Sequence, residues 1–177
     1  MEQQEQQMTD AARRGQSDGY RYLMERYGRQ VQLLVAQVVP DARDVEELTQ
    51  DAFVRAFEHL KDFNPERASF STWLSHIAYN TALNHLRSQG FAPLPLNEEQ
   101  YAPPDDSTWA QDEGDDELLS LLDSAIDRLR PEEKALLHLR YYEGHSLIEI
   151  AEVMDIKAGA LANRLQRIRQ KLKNLIQ

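Results

Sequence analysis

The sequence predicts an all-α protein made of two small helical domains joined by an acidic, proline-containing linker. Three observations carry that expectation. Apolar residues recur at steps of three and four through most of the chain, and strand-like alternation is absent. Glycine and proline are scarce inside those periodic stretches. Charge then divides the chain. Residues 88–117 hold nine acids, no base and four of the seven prolines, with no helical period. Such a stretch reads as an extended connection between folded units, and we place a flexible linker at 89–116. Phe91, Tyr101 and Trp109 within it leave room for docking on a partner. Domains at 1–88 and 117–177 flank it.

The first domain is read helix by helix. Tyr20, Leu23, Tyr27, Val31, Leu34, Val35 and Val38 share one helix face, with Ser17 as N-cap and Pro40 as terminator. A second helix is expected after Asp44, with Val45, Leu48, Ala52, Phe53, Ala56, Phe57 and Leu60 turned inward. Its other faces carry Glu46, Glu47, Gln50, Asp51, Val54, Arg55 and Glu58. Asn64–Pro65 breaks the chain, and Ser69 or Ser71 caps a third helix over residues 71–88, whose contacts come from Trp73, Leu74, Ile77, Ala78, Thr81, Ala82, His85 and Leu86, with Phe70 and Trp73 equally suited to the core. These helices belong to a three- or four-helix bundle.

The second domain begins with an amphipathic helix through Leu118, Leu122, Ala125, Ile126 and Leu129. Pro131 suits the first turn of the next helix, where Glu132 and Glu133 complement the helix dipole. Gly144 ends it. Ser146 and Glu149 have capping-box spacing ahead of Leu147, Ile150, Ala151 and Met154. Asp155 takes the turn, where a left-handed conformation is needed and Asp tolerates it. The last helix places Leu161, Leu165, Ile168, Leu172 and Leu175 in the core. From residue 157 onward it has six cations and no acid, in a chain of net charge -10. Two helices joined by a tight turn, the second basic on its outer face, make a helix-turn-helix.

The same composition disfavours other classes. The chain has no cysteine, so disulfides, thiolate nucleophiles and Cys-ligated metals are impossible. That suits a reducing cytoplasm. The start lacks the apolar segment of a signal peptide, and no apolar run approaches a membrane span. The five histidines lack metal-ligand spacing, and no Gly-rich phosphate loop or Ser-His-Asp context appears. No enzyme activity, cofactor or metal is expected.

Specific motifs go further. The stretch from Asp44 to Arg87 contains DVEELTQDAFVRAF, a junction FNPERASFSTWL and NTALNHLR. It resembles region two of the bacterial sigma factors, most closely those of the extracytoplasmic-function subfamily, which keeps only regions two and four. Residues 127–172 resemble region four of that subfamily. The resemblance implies a sigma factor that binds core RNA polymerase, recognises a -35 element and melts a -10 element. It implies a polymerase surface at Asp44, Glu46, Glu47, Gln50, Asp51 and Arg55. It assigns the -10 element to Phe70, Trp73, Tyr79, Asn80, Asn84 and Arg87, types suited to stacking and to base edges. It assigns the -35 element to Lys157, Ala160, Ala162, Asn163, Arg164 and Arg167. Lys157, Ala160 and Ala162 stand where the family commonly has Ser, Thr and a basic residue. Asn163, Arg164 and Arg167 therefore carry the hydrogen bonding, and the alanines offer only methyl contact to thymine. Lys171 and Lys173 read as surface solubilisers or distant phosphate contacts. Partners implied are core polymerase, promoter DNA and an anti-sigma factor. The alternative is an adaptor of sigma-like shape that binds polymerase or an anti-sigma factor without reading DNA.

Overall fold

The computed structural model describes residues 2–92 and 116–176. Most of the expected linker, with Tyr101 and Trp109, lies outside the described residues. Within them the chain is helical and contains no strand.

The first helical group comprises α1 (Glu2–Arg13), α2 (Ser17–Val38), α3 (Ala42–Glu58) and α4 (Phe70–Ser88), with a short 3-10 turn at Leu60–Asp62. Helix α1 was not expected, because half of its residues are Glu and Gln and no apolar stripe marks it. It holds on through a narrow stripe: Thr9, Ala11 and Ala12 are buried against α2. The two backbones nearly touch at Gly19, where a Cβ would stand 2.3 Å from the Ala12 nitrogen and 2.6 Å from the Met8 oxygen. Arg13 pins the other end. Its guanidinium donates to the Leu60 carbonyl at 3.2 Å and to the Phe63 carbonyl, and lies over the Phe63 ring.

Helix α2 buries the expected stripe of Leu23, Tyr27, Val31, Leu34, Val35 and Val38. Ser17 is not its cap. Gln16 holds the cap position in an extended conformation with no side-chain bond, and Ser17 is the first helical residue. Helix α3 starts earlier than periodicity suggests, because the Asp41 carboxylate accepts from the Arg43 and Asp44 amides at 2.8 and 3.4 Å. Ser69 caps α4 by accepting from the Thr72 amide at 3.1 Å.

The second group comprises α5 (Asp116–Asp127), α6 (Pro131–Leu137), α7 (Leu147–Met154) and α8 (Ala158–Ile176). Helix α6 runs on into a π-helical segment, His138–Tyr142, which ends before Gly144 at φ 73°. The capping box forms: Ser146 donates its amide to Glu149 at 2.7 Å, and the Glu149 amide donates to Ser146 Oγ at 3.2 Å. Asp155 sits in the left-handed region at φ 54° and turns the chain from α7 into α8. Leu161, Leu165, Ile168 and Leu172 of α8 are buried.

The two groups touch. Helix α7 lies along α4, and α6 packs on α2. This explains why α4 is buried on more than one face. Leu74, Ala78 and Ala82 are fully covered, and so are the polar Thr72, Ser75 and Thr81.

Gly19 provides a test of the α1 crossing. Gly19→Ala is expected to destabilise the fold by about 1–3 kcal/mol, because the clash is with backbone atoms that cannot rotate away. Gly28→Ala, where the new Cβ meets nothing within 4 Å, is expected to stabilise slightly through helix propensity. Urea midpoints of the two variants check both signs.

Candidate nucleic-acid and partner interfaces

Three surfaces contain the residues expected to act. The first is the outer face of α3. Glu46, Glu47, Gln50, Asp51 and Arg55 are exposed along it. Asp44 is half-buried, with its carboxylate 3.2 Å from His85 Nε2. That contact ties the start of α3 to α4. Val54 stands among the polar residues at 55% exposure. Periodicity had already set it off the buried stripe. An apolar side chain amid charges is a natural centre for a protein contact, which the sequence reading left out.

The second surface is α4. Phe70 is 2% exposed and belongs to the core, with ring centroids 5.2 Å from Tyr27 and 5.3 Å from Phe63. Trp73 is half-buried against Phe63 and Phe70. Tyr79 is also 2% exposed. Burial pushes its hydroxyl pKa up, Glu132 pushes it further, and Arg164 and Arg87 act the other way. Neither Phe70 nor Tyr79 is open to a base in this arrangement. Asn80 donates to the His76 carbonyl at 2.9 Å and approaches the His76 ring. Asn84 and Arg87 are exposed and joined by a 3.3 Å hydrogen bond.

The third surface is the start of α8. Lys157 and Arg167 are exposed, and Ala160, Ala162, Asn163 and Arg164 are half-buried. Arg164 and Arg167, three apart, share one face. Two other cations of α8 have structural duties. Lys171 pairs with Glu133 at 2.9 Å, and the Arg169 guanidinium donates to the Tyr141 hydroxyl. Lys171 is therefore a tie between α8 and α6 rather than a plain solubiliser.

The elbow before α7 holds a buried ionic cluster that the sequence reading did not anticipate. The Glu143 side chain is 6% exposed and lies 3.1 Å from His138 Nε2 and 2.9 Å from His145 Nε2. Burial alone would push its carboxyl up, but the two imidazoles outweigh burial and hold it below the usual range. The hydrogen bond with Glu143 in turn raises His145 above its ordinary value. Three residues within eight positions, His138, Glu143 and His145, were the signal available.

Residues 23–91 match the family model for sigma-70 region 2, and residues 119–172 match that for sigma-70 region 4. The chain is 30% identical to the RNA polymerase sigma-H factor of Pseudomonas aeruginosa, over 99% of this chain and 95% of that one. It is 31% identical to the ECF RNA polymerase sigma-E factor of Haemophilus influenzae, over 98% and 95%. The chain belongs to the extracytoplasmic-function sigma factors. Two solved structures share the fold of this sigma factor. One is CnrH in complex with the cytosolic domain of CnrY, with a TM-score of 0.64 at 22% identity, covering 95% of this chain and 94% of that one. The other is the sigma factor RpoE in complex with the anti-sigma factor NepR from Bartonella quintana, with a TM-score of 0.64 at 17% identity, covering 88% and 95%. In this sigma factor region two spans α2 to α4 and region four spans α5 to α8. Among the described residues, no helix is long and apolar enough to cross a membrane.

Proposed function

We propose that this sigma factor divides its work among the three surfaces, with domains at 1–88 and 117–177 on either side of the linker. The exposed face of α3, with Glu46, Glu47, Gln50, Asp51 and Arg55 around Val54, binds core RNA polymerase. Helix α4 carries the -10 element. Asn80, Asn84 and Arg87 supply base-edge and phosphate contacts, and Trp73 offers a ring edge for stacking. Phe70 holds the α4 entrance from the core, and Tyr79 supports it from beneath. Helix α8 reads the -35 element, with Asn163 and Arg164 at or near base edges and Arg167 on phosphate. The protein works in the cytoplasm, beside polymerase, and is not an enzyme. An anti-sigma factor is its regulatory partner, a reading supported by the related RpoE having been captured with one.

The observation that carries this reading is near-full-length similarity to sigma factors with both regions in the family's order. The test is transcription in vitro with core polymerase and a pool of genomic promoters. Discrete start sites that require the protein are the expected result. Polymerase binding without any start site would favour the adaptor reading.

A further inference from the structure

Helix α1 precedes the residues matched to sigma-70 region 2, which begin at 23, and none of the three surfaces includes it. Its attachment to α2 does not depend on its last turn. The close crossing at Gly19 and an ion pair between Glu5 and Arg26 at 3.0 Å hold it there. Arg13 turns elsewhere. Its Nε donates to the Leu60 carbonyl at 3.2 Å and its Nη2 donates to the Phe63 carbonyl, 47 and 50 residues away in sequence. Asp10, one turn earlier, accepts from the same guanidinium at 3.3 Å and fixes its direction.

The two carbonyls bracket the turn by which the chain leaves α3. Leu60–Asp62 is a single 3-10 turn, and Phe63 is already extended at ψ 125°. The bond that closes the turn, from the Phe63 amide to the Leu60 carbonyl, is long at 3.4 Å. A planar guanidinium offers donors in a fixed fork, so one side chain can hold both acceptors at once. Residues 64–67 beyond it are exposed, so the core grips the junction at Phe63 and again at Phe70.

Phe63 passes the constraint on. Its ring lies 5.6 Å from the Arg13 guanidinium carbon, 5.2 Å from the Trp73 ring and 5.3 Å from the Phe70 ring. Phe70 is held a second time, by Tyr27 at 5.2 Å. Trp73 is half-buried, and its ring contacts among the described residues are with Phe63 and Phe70. The orientation of Trp73 therefore follows the placement of Phe63, and Phe63 stands where Arg13 holds the turn.

We propose that Arg13 is a positioning residue for promoter opening: it clamps the Leu60–Phe63 turn onto α1 and, through the Phe63 ring, sets the angle at which Trp73 meets an unstacked base of the -10 element. This rests on the assignment of Trp73 to that element. Stacking on a ring already held in place avoids the cost of ordering it during binding. The outer face of α3 and the start of α8 lie outside the chain of contacts from Arg13 to Trp73. Helix α1 thereby acts on the opening step and leaves polymerase binding and -35 recognition unaffected.

The test compares Arg13→Ala and Arg13→Lys with Glu5→Gln, which loosens α1 from α2 and leaves the turn alone. All are made in the full chain and studied well below their melting temperatures. The first readout is Trp73 itself. The chain has two tryptophans, so a Trp109→Phe background leaves Trp73 as the sole emitter. Acrylamide quenching should rise about twofold in Arg13→Ala as local order is lost, and should stay at the wild-type level in Glu5→Gln. The second readout is the yield of open complex relative to closed complex. It should fall about fivefold in Arg13→Ala, near the lower end of what one stacked base contributes, with affinities for core polymerase and for closed promoter as in wild type. Arg13→Lys keeps the charge but not the fork, so it should show the same pattern at smaller amplitude, and it decides the matter should Arg13→Ala fail to fold. Unchanged quenching on loss of Arg13, or equal losses of opening in the Arg13 variants and Glu5→Gln, would overturn the brace alone. Raised quenching with wild-type opening would remove Trp73 from the -10 element, and the proposal would fall with that assignment.

Discussion

Reversing Glu47 and Asp51 together to Lys is expected to lower affinity for core polymerase by about 10- to 100-fold, or ~1.4–2.7 kcal/mol. Both side chains are exposed on α3 and four residues apart, so they present one acidic patch beside Val54. Two carboxylates that meet a basic or polar partner surface become two cations facing it, and like-charge contact at an interface is costly. The fold should not change, because neither side chain is buried and Lys is a good helix former. A titration of labelled protein against core polymerase reads the affinity, with far-UV circular dichroism as the fold check. The loss should narrow as salt rises, since exposed charges are screened. Unchanged affinity would remove α3 from the polymerase interface.

The second large effect is on stability. Glu143→Ala is expected to destabilise the protein by about 3 kcal/mol near pH 6, because it strips the shared acid from two largely buried imidazoles. For a chain of this length that is a fall in Tm of roughly 6–12 °C. The pH dependence has a definite sign on each side. Glu143 is held below its ordinary value, so its contribution is present above the unfolded carboxylate pKa and is lost as pH falls through the folded value. His145 is held above its ordinary 6.5. Its contribution is complete below that pH and is lost as pH rises through the raised value. The difference between wild type and Glu143→Ala should therefore be largest in mildly acid solution and should shrink toward both extremes. Thermal melts from pH 4 to 9 check it. A difference independent of pH would mean that the cluster stabilises by packing alone.

Much of this architecture is legible in the residues, and the exceptions share a physical cause. Periodicity found the buried stripes of α2, α3 and α8, and short-range chemistry found the Ser69 cap, the Ser146–Glu149 box and the Asp155 turn. These signals act within a few residues. Helix α1 was missed because its contact rests on Gly19 and two alanines, too small to mark a hydrophobic stripe. The start of α3 was placed too late because the cap at Asp41 lies before the first apolar residue. Tyr79 was read as a surface residue because one helical period describes one buried face. Helix α4 has two, and the second is polar and small, with Thr72 meeting Glu149 of region four and Ser75 meeting Gln30 of α2. The ties from Lys171 to Glu133 and from Gln30 to Glu143 span distances in sequence that no local pattern reports. The three proposed interfaces were legible as surfaces of suitable chemistry. Which of their residues stand open to a partner was not.

In the proposed division of work, α4 opens the promoter and α8 anchors the protein on it. Permanganate footprinting of the full chain with core polymerase, on a promoter it recognises, tests this most directly when run on wild type, Asn80→Ala and Arg164→Ala together with closed-complex affinity. Asn80→Ala should keep closed-complex affinity while reactivity of the melted thymines falls about tenfold, or ~1.4 kcal/mol. Arg164→Ala should weaken the closed complex by ~1–3 kcal/mol and relax preference within the -35 element. Footprints and affinities equal to wild type for both variants would contradict that division, and would leave a protein that binds polymerase without reading DNA.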